Sequence, residues 1–432
     1  MPNSDQESKL HIPRSFRDYR PLFSAKLQAE FPQLRFDIHA FSNGMPLFLS
    51  GEVPHAVMIA ILNGDNFKET IADLFAASTL TQDSSDAAGK NVDRLTVFTP
   101  FADFRQDHRE RKLISPDSKY DMAVVKAQAS TTKALAAMMR YVAGVDNVVT
   151  LDGHSHLATT HFQEVGIEVI NTTAAFAAVN ELMARGYLND KQRIVVTGVD
   201  FGNLAVVDAV SKRFGFDRAI IRKWRQMLEG GTKTITRQEL VEGKLKGATV
   251  LILDDMAASG GTLGNSADLA IGKGAKEVIL FATHRVYAGT TYYAQLQRLL
   301  DRDRVKVVMT SNSLPLERRG WEGDKSDPKV RRPDSSGEMA TKGVELLNLD
   351  EFTIDTLRSL LASGGNPERM RELLKENVIK QEDPYVIYQR LTGKRAKKPR
   401  DRAIYDQGEY RALPGAEPLP AGINDNGRGG EY

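Results

Sequence analysis

The chain has 432 residues, room for two or three domains of ordinary size, and its 41 % hydrophobic and 26 % charged content is that of a soluble globular protein. A formal net charge of +2 offers no global attraction to nucleic acid or an anionic membrane, and no apolar run approaches the length of a membrane span. With no cysteine there can be no disulfide, thiolate zinc site or cysteine nucleophile, which fits a cytoplasmic protein. Residues 1–20 are polar, lack the apolar core of a signal peptide, and read as a flexible arm. From 21 to 170 short apolar strands alternate with helical patterns. Leu95–Phe98 and Val148–Leu151 are the clearest strands, and Thr131–Val142 carries apolar residues at helical spacing. The alternation recurs over 171–320, with a helix at Ala174–Arg185 and strands at Arg193–Thr197, Val250–Leu253, Glu277–Ala282 and Val305–Met309. Strands alternating with helices throughout predict an α/β fold of two parallel-sheet domains. Residues 321–342 are polar and turn-rich, a loop. Residues 343–393 return a strand (Val344–Leu349) and a helix (Phe352–Ala362), and 394–432, with KRAKKPR and a Gly/Pro-rich end, read as a disordered, solvated tail.

The most informative stretch is Val250–Leu263, VLILDDMAASGGTL. Four apolar residues predict a buried strand, and Asp254 and Asp255 stand at its carboxyl end, where parallel α/β sheets bind ligands. The loop Ala258-Ser259-Gly260-Gly261-Thr262 then opens a helix near Thr262, a turn whose N–H groups suit a phosphate. Adjacent carboxylates before such a turn can hold ribose hydroxyls or a hydrated Mg²⁺. The two features together spell a ribose-phosphate site; an ordinary βα turn with acidic solvation is the plain alternative.

Other strand ends carry further candidates. Phe104–Arg109 places Arg105, Gln106, Asp107 and His108 after a strand, either a nucleotide phosphate site or a charged loop. Asp152-Gly153-His154 follows another, where Asp and His can hold a metal–phosphate group or cap the next helix. Asp200 lies beside glycines at a third strand end, as a metal or ribose carboxylate or a turn residue. Arg222-Lys223-Trp224-Arg225 puts three cations just after a strand, and phosphoryl transfer needs positive charge over the developing equatorial oxygens.

In order and spacing these pieces resemble the ribose-phosphate diphosphokinases, or phosphoribosyl pyrophosphate (PRPP) synthetases, more than the type I phosphoribosyltransferases that share the PRPP loop. Phe41-Ser42-Asn43-Gly44 is similar to the family's adenine-contacting segment, and Phe101–His108 to its Arg-Gln-Asp ATP motif. Asp152-Gly153-His154 resembles its Asp-Leu-His motif, Val199–Gly202 its Pro-Asp-x-Gly segment, and Lys223-Trp224-Arg225 its catalytic Lys-x-Arg loop. Ala282-Thr283-His284 and Leu314-Pro315-Leu316 resemble later landmarks, and the resemblance runs in register from Arg35 to Ser363. It implies that the β,γ-diphosphate of Mg-ATP passes to the anomeric hydroxyl of ribose 5-phosphate, giving PRPP and AMP. Lys223 and Arg225 would be catalytic; Phe41, Asn43, Arg105, Gln106, Asp107 and His108 would hold ATP; His154 and Asp200 would organise Mg²⁺. Asp254 and Asp255 would bind the ribose diol, and Ala258, Ser259, Gly260, Gly261 and Thr262 would form the ribose-phosphate loop. The family's homodimers and hexamers imply a homo-oligomer, with neither membrane nor nucleic acid as partner.

The chain also departs from that pattern. Asn43 and Met45 stand where the family carries carboxylates near the adenine, and Ala258 replaces the Asp before Thr-Gly-Gly. An insertion follows Arg111, the Leu316–Lys342 loop is enlarged, and the chain beyond Ser363 has no counterpart. The altered Phe41–Met45 segment, Ala258 and the enlarged loops fall where a substrate cleft is shaped, so ADP-ribose, yielding ADP-ribose pyrophosphate for NAD synthesis, is an alternative acceptor. A non-catalytic regulatory subunit is a further alternative, against which the retained Lys223 and Arg225 argue.

Overall fold

The computed structural model describes, in whole or in part, residues 8–12, 21–32, 37–40, 46–49, 55–62, 74, 94–102, 111–117, 122–128, 131–153, 156–227, 234–257, 260–286, 299–302, 304–314, 344–380 and 382–394. The N-terminal half runs β1 (Ser8–His11), α1 (Pro21–Glu30), the ribbon β2 (Asp37–Ala40) and β3 (Pro46–Leu49), β4 (His55–Leu62) and β5 (Arg94–Ala102). A second ribbon, β6 (Arg111–Asp117) with β7 (Met122–Gln128), occupies the expected insertion, before α2 (Thr131–Tyr141), β8 (Val145–Leu151), α3 (His156–Glu164) and β9 (Glu168–Thr172). A five-stranded sheet of order β1-β4-β5-β8-β9, parallel throughout, organises this half.

The second half continues with α4 (Ala175–Ala184), β10 (Ile194–Gly198), a 3-10 turn (Phe201–Asn203), α5 (Leu204–Phe214) and β11 (Asp217–Arg218). The antiparallel ribbon β12 (Ile220–Met227) and β13 (Thr234–Glu242) follows, then β14 (Thr249–Ala257), α6 (Gly261–Gly272), β15 (Glu277–Arg285), β16 (Val305–Ser311) and β17 (Val344–Leu347). These strands form a parallel six-stranded sheet, β11-β10-β14-β15-β16-β17. The described residues end with α7 (Asp350–Ala362), α8 (Pro367–Leu373) and α9 (Pro384–Thr392). The fold is therefore the expected pairing of two parallel-sheet α/β domains with a C-terminal extension. Among the described residues no helix is long and apolar enough to cross a membrane.

Parallel strands read as apolar runs because both faces are covered. In β14 the pleat sends Val250 and Ile252 toward α6, in one core with Leu263 and Ala267, and Leu251 and Leu253 toward α4 and α5, in another with Leu182 and Val207. The N-terminal sheet is covered on one face by α2 and α3, and on the other by α1 and the C-terminal helices α7 and α8.

Two expectations are corrected. Residues 8–11 are not part of a flexible arm: they add an edge strand to β4 in the register Leu10↔Val57, and Leu10 is fully buried. Lys223 and its neighbours do not lie in a loop after a strand; they are inside β12.

Candidate functional site

β14 runs to Ala257, four residues past the predicted end, because Asp254 pairs with Ala282, Met256 with His284 and Ala257 with Arg285 of β15; Asp254 and Asp255 are half-buried there. The chain then turns through Gly260, whose φ of 75° is left-handed and best suited to glycine, into α6 at Gly261. No side chain caps this helix among the described residues, so the N–H groups of its first turn, with Thr262 in it, are the orphan donors that suit an anion.

Lys223 arrives from the ribbon. The ladder pairs Lys223 with Gln238 and Arg225 with Thr236. The ammonium of Lys223 lies 3.5 Å from the Thr262 hydroxyl and 3.8 Å from Oδ2 of Asp200, and the residue is only 7 % exposed. Asp200 sits in a turn that needs Gly198: a Cβ there would stand 2.5 Å from that of Asn203. Oδ1 of Asp200 accepts from the Gly202 N–H at 2.8 Å, which leaves Oδ2 to face Lys223. Phe201, next in the turn, is gripped by α9, with Tyr388 stacked at 4.9 Å and Tyr385 edge-on at 5.7 Å.

Negative charge is crowded here. Burial pushes the Asp254 carboxyl well above the usual range, the charge of Asp255 and then that of Asp200 add to the shift, and Lys223 opposes it. The Asp255 N–H donates to Asp254 Oδ1 at 3.0 Å. These carboxylates are hard oxygen donors of the kind Mg²⁺ takes, and a cation beside them would favour the ionised form of Asp254 that burial and the neighbouring charges disfavour.

The two sheets meet behind this site. Asp152, at the end of β8, has a left-handed φ of 44° and is buried. Its carboxylate accepts from the Thr283 hydroxyl at 2.6 Å and the Ala174 N–H at 2.9 Å. Burial raises its pKa to about 6, while the Thr173 and Thr283 hydroxyls and the Ala174 N–H pull it back. His284 reaches from β15 to the Leu151 carbonyl at 2.9 Å through Nε2, which must therefore carry the proton, and its Nδ1 meets the Ser313 hydroxyl. Ala282-Thr283-His284 is thus a junction between the sheets. A small cavity of about 60 Å³, room for a few waters, opens beside it, lined by Asp152, Asn171, Asp254, Asp255, Thr283 and Glu382 among others.

Of the predicted site residues, the structure brings together Lys223, Asp200, Asp254, Asp255, Gly260, Gly261 and Thr262. Phe41, Asn43, Arg105, Gln106, Asp107, His108, His154, Ala258 and Ser259 lie outside the described residues, as does the side chain of Arg225. Sequence reasoning missed Gln238, Glu382 and the Tyr385–Tyr388 pair. Only the Asp383-Pro384 helix start, with Asp383 capping the Tyr385 N–H, signalled that an ordered helix follows there.

Residues 168–313 match the phosphoribosyl transferase domain. Curated relatives named ribose-phosphate pyrophosphokinase include those of Ralstonia nicotianae, 29 % identical over 52 % of this chain and 61 % of the relative, and Burkholderia pseudomallei, 27 % over 57 % and 67 %. That of Bradyrhizobium diazoefficiens is 33 % identical over 42 % of this chain and 53 % of its own length. The chain thus spans about half to two thirds of the relatives it matches. Its fold is also similar to that of phosphoribosylpyrophosphate synthetase from Mycobacterium smegmatis, with TM-score 0.53 and 18 % identity over 82 % of this chain and 98 % of the other.

Proposed function

We propose that the chain is a ribose-phosphate diphosphokinase of the PRPP synthetase family, a reading supported by the phosphoribosyl transferase domain match and by the relatives it resembles. It transfers the β,γ-diphosphate of ATP to the anomeric hydroxyl of ribose 5-phosphate and releases AMP. One observation carries this reading: a nearly buried Lys223 stands between the anion-suited start of α6 and the carboxylate of Asp200. A protein that only bound a sugar phosphate at the helix start would have no use for a nearly buried cation held between that start and a carboxylate.

In this mechanism the first turn of α6 holds the 5-phosphate through Gly260, Gly261 and Thr262. Asp254 and Asp255 take the ribose diol, and the two donated hydroxyl hydrogen bonds favour the ionised carboxylates that burial disfavours. Lys223, with Arg225 two residues on, supplies positive charge to the transferring phosphoryl oxygens, the stabilisation such a loose transition state needs. Mg²⁺, held from the Asp200 side with His154, would neutralise phosphate charge; Arg105, Gln106, Asp107 and His108, with Phe41 and Asn43, would hold the nucleotide. Assembly of homo-oligomers belongs to the same reading.

AMP release from Mg-ATP, measured side by side with ribose 5-phosphate and ADP-ribose, tests it. Release with ribose 5-phosphate at the higher kcat/KM supports the proposal. Preference for ADP-ribose moves the acceptor, and no release with either returns the chain to a regulatory subunit. Lys223→Ala should lower kcat by about 10²-fold or more, and a rate within a few-fold of wild type would remove Lys223 from the chemistry.

A further inference from the structure

A two-stranded ribbon is marginal on its own, so β12 and β13 can aim Lys223 only if something fixes them to the body of the domain. Gln238 is the ladder partner of Lys223, and cross-strand partners point to the same face of a ribbon. Its Nε2 donates to the Val199 carbonyl at 2.9 Å and to the Ser266 hydroxyl at 2.8 Å. Ser266, inside α6, donates in turn to the Thr262 carbonyl at 3.1 Å. Val199 immediately precedes Asp200, and Thr262 and Asp200 are the two residues that the Lys223 ammonium approaches. One amide nitrogen therefore ties the ribbon to both walls of the site.

The orientation of that amide is fixed by chemistry: a carbonyl only accepts, so Nε2 must face Val199. Oε1 is then left buried with no donor among the described residues. A buried orphan acceptor is destabilising, a cost that an apolar side chain of similar volume would avoid. We propose that Gln238 is a positioning residue: its two donated hydrogen bonds hold Lys223 between Thr262 and Asp200. The kinetic consequence rests on the proposed diphosphokinase reaction, whereas the geometry does not.

The full-length protein is compared as wild type, Gln238→Leu, Lys223→Ala and the double variant. AMP release gives kcat and KM, and mass spectrometry after brief acylation gives the reactivity of the Lys223 amine. Gln238→Leu should lower kcat by about 10- to 100-fold with each KM within about 3-fold. It should also speed acylation of Lys223 by about 10-fold as the ribbon loosens. On the Lys223→Ala background the same substitution should cost less than about 2-fold, because its effect passes through a side chain already removed. An equal loss of kcat on both backgrounds, as a general structural defect would give, overturns the proposal. Unchanged Lys223 reactivity in Gln238→Leu overturns it as well. Ser266→Ala cuts the relay while leaving Gln238 in place; if Gln238→Leu does not fold, Ser266→Ala decides by the same acylation criterion. Should the wild type release no AMP with either acceptor, the diphosphokinase reading falls, and acylation of Lys223 alone then decides the role of Gln238.

Discussion

Thr283→Val removes one hydroxyl from the junction between the sheets and changes almost nothing in volume. The hydroxyl donates to the buried Asp152 carboxylate at 2.6 Å. A hydrogen bond to a charged group contributes about 1.5–3 kcal/mol, and one pKa unit corresponds to about 1.4 kcal/mol, so the substitution should raise the Asp152 pKa by about 1–2 units. In the wild type burial already raises that pKa to about 6, above the ordinary 3.8 of an aspartate. A carboxyl whose folded pKa is raised binds its proton more tightly when folded, so stability falls as pH rises from about 4 through 6, by about 3 kcal/mol in all. In Thr283→Val the fall should continue to higher pH and be deeper. Urea unfolding at half-unit steps from pH 5 to 9 measures this. The gap between the two proteins should be small at pH 5 and should widen to about 1.5–3 kcal/mol by pH 8–9. A gap of constant size across that range would show that the hydroxyl does not serve the ionised carboxylate.

Three further outcomes follow from the geometry. His55 is buried against the Thr96 hydroxyl at 2.9 Å, and burial, with Arg94 second, lowers its pKa from 6.5 to about 4. Its folded pKa lies below the unfolded one, so stability should drop by about 3 kcal/mol as pH falls from 6.5 to 4 and then level off; His55→Gln should flatten that limb of a urea series, and an unaltered slope would sink the assignment. Gly198→Ala forces a Cβ to within 2.5 Å of Asn203 Cβ, which should cost about 1–3 kcal/mol and reduce kcat by displacing Asp200 from Lys223. Wild-type kinetics and melting temperature would refute it. Tyr388→Ala strips the ring stacked on Phe201 and should cost about 3–5 kcal/mol in urea unfolding, whereas a loss below about 1 kcal/mol would show that α9 does not brace the turn.

The second domain was the more legible half, and the reason is burial. Strands such as Ile194–Gly198 and Glu277–Arg285 are covered on both faces and so read as unbroken apolar runs. Gly260-Gly261-Thr262 was legible because a left-handed cap needs glycine and an anion-suited turn needs bare N–H groups. Lys223 was placed in the wrong element because IRKWRQM carries no apolar alternation strong enough to mark a strand; the ladder to β13 makes it one. Ser8–His11 escaped notice because a four-residue edge strand with one buried leucine has too short a period to detect. Val344–Leu347 and the helix after it were legible as elements, but not the return of α7 to cover the N-terminal sheet, which depends on Ile354, Leu357 and Leu360 meeting Val57 and Ile59. Gln238, and the role of Thr283 within its landmark, were out of reach for the same reason: each acts through partners 28 to 131 residues away.

The chain beyond residue 363 explains how so polar a site is held without cysteine links. After α8 it lays Val378 against Thr172 as an isolated bridge, and Asn377 and Ile379 exchange backbone hydrogen bonds with Thr173 and Asn171 at the end of β9. The same segment meets the second domain on both sides of that bridge: before it the Glu376 carboxylate pairs with Arg213, and after it α9 packs Tyr385 and Tyr388 on Phe201. Arg390, on the same helix, faces the buried Asp208 of α5. A single segment thus grips the end of the first sheet and the turn that presents Asp200, on the side of the cavity lined by Ile379, Glu382 and Pro384. Opening one sheet from the other would have to break this strap together with the Thr283–Asp152 and His284–Leu151 bonds. The strap and the junction therefore act in parallel, so the spacing between the Asp200 turn and the end of β8 at Asp152 is set by packing rather than left to a hinge. Such preorganisation is the condition under which a fixed cation like Lys223 contributes most, because no reorganisation is then required when charge develops.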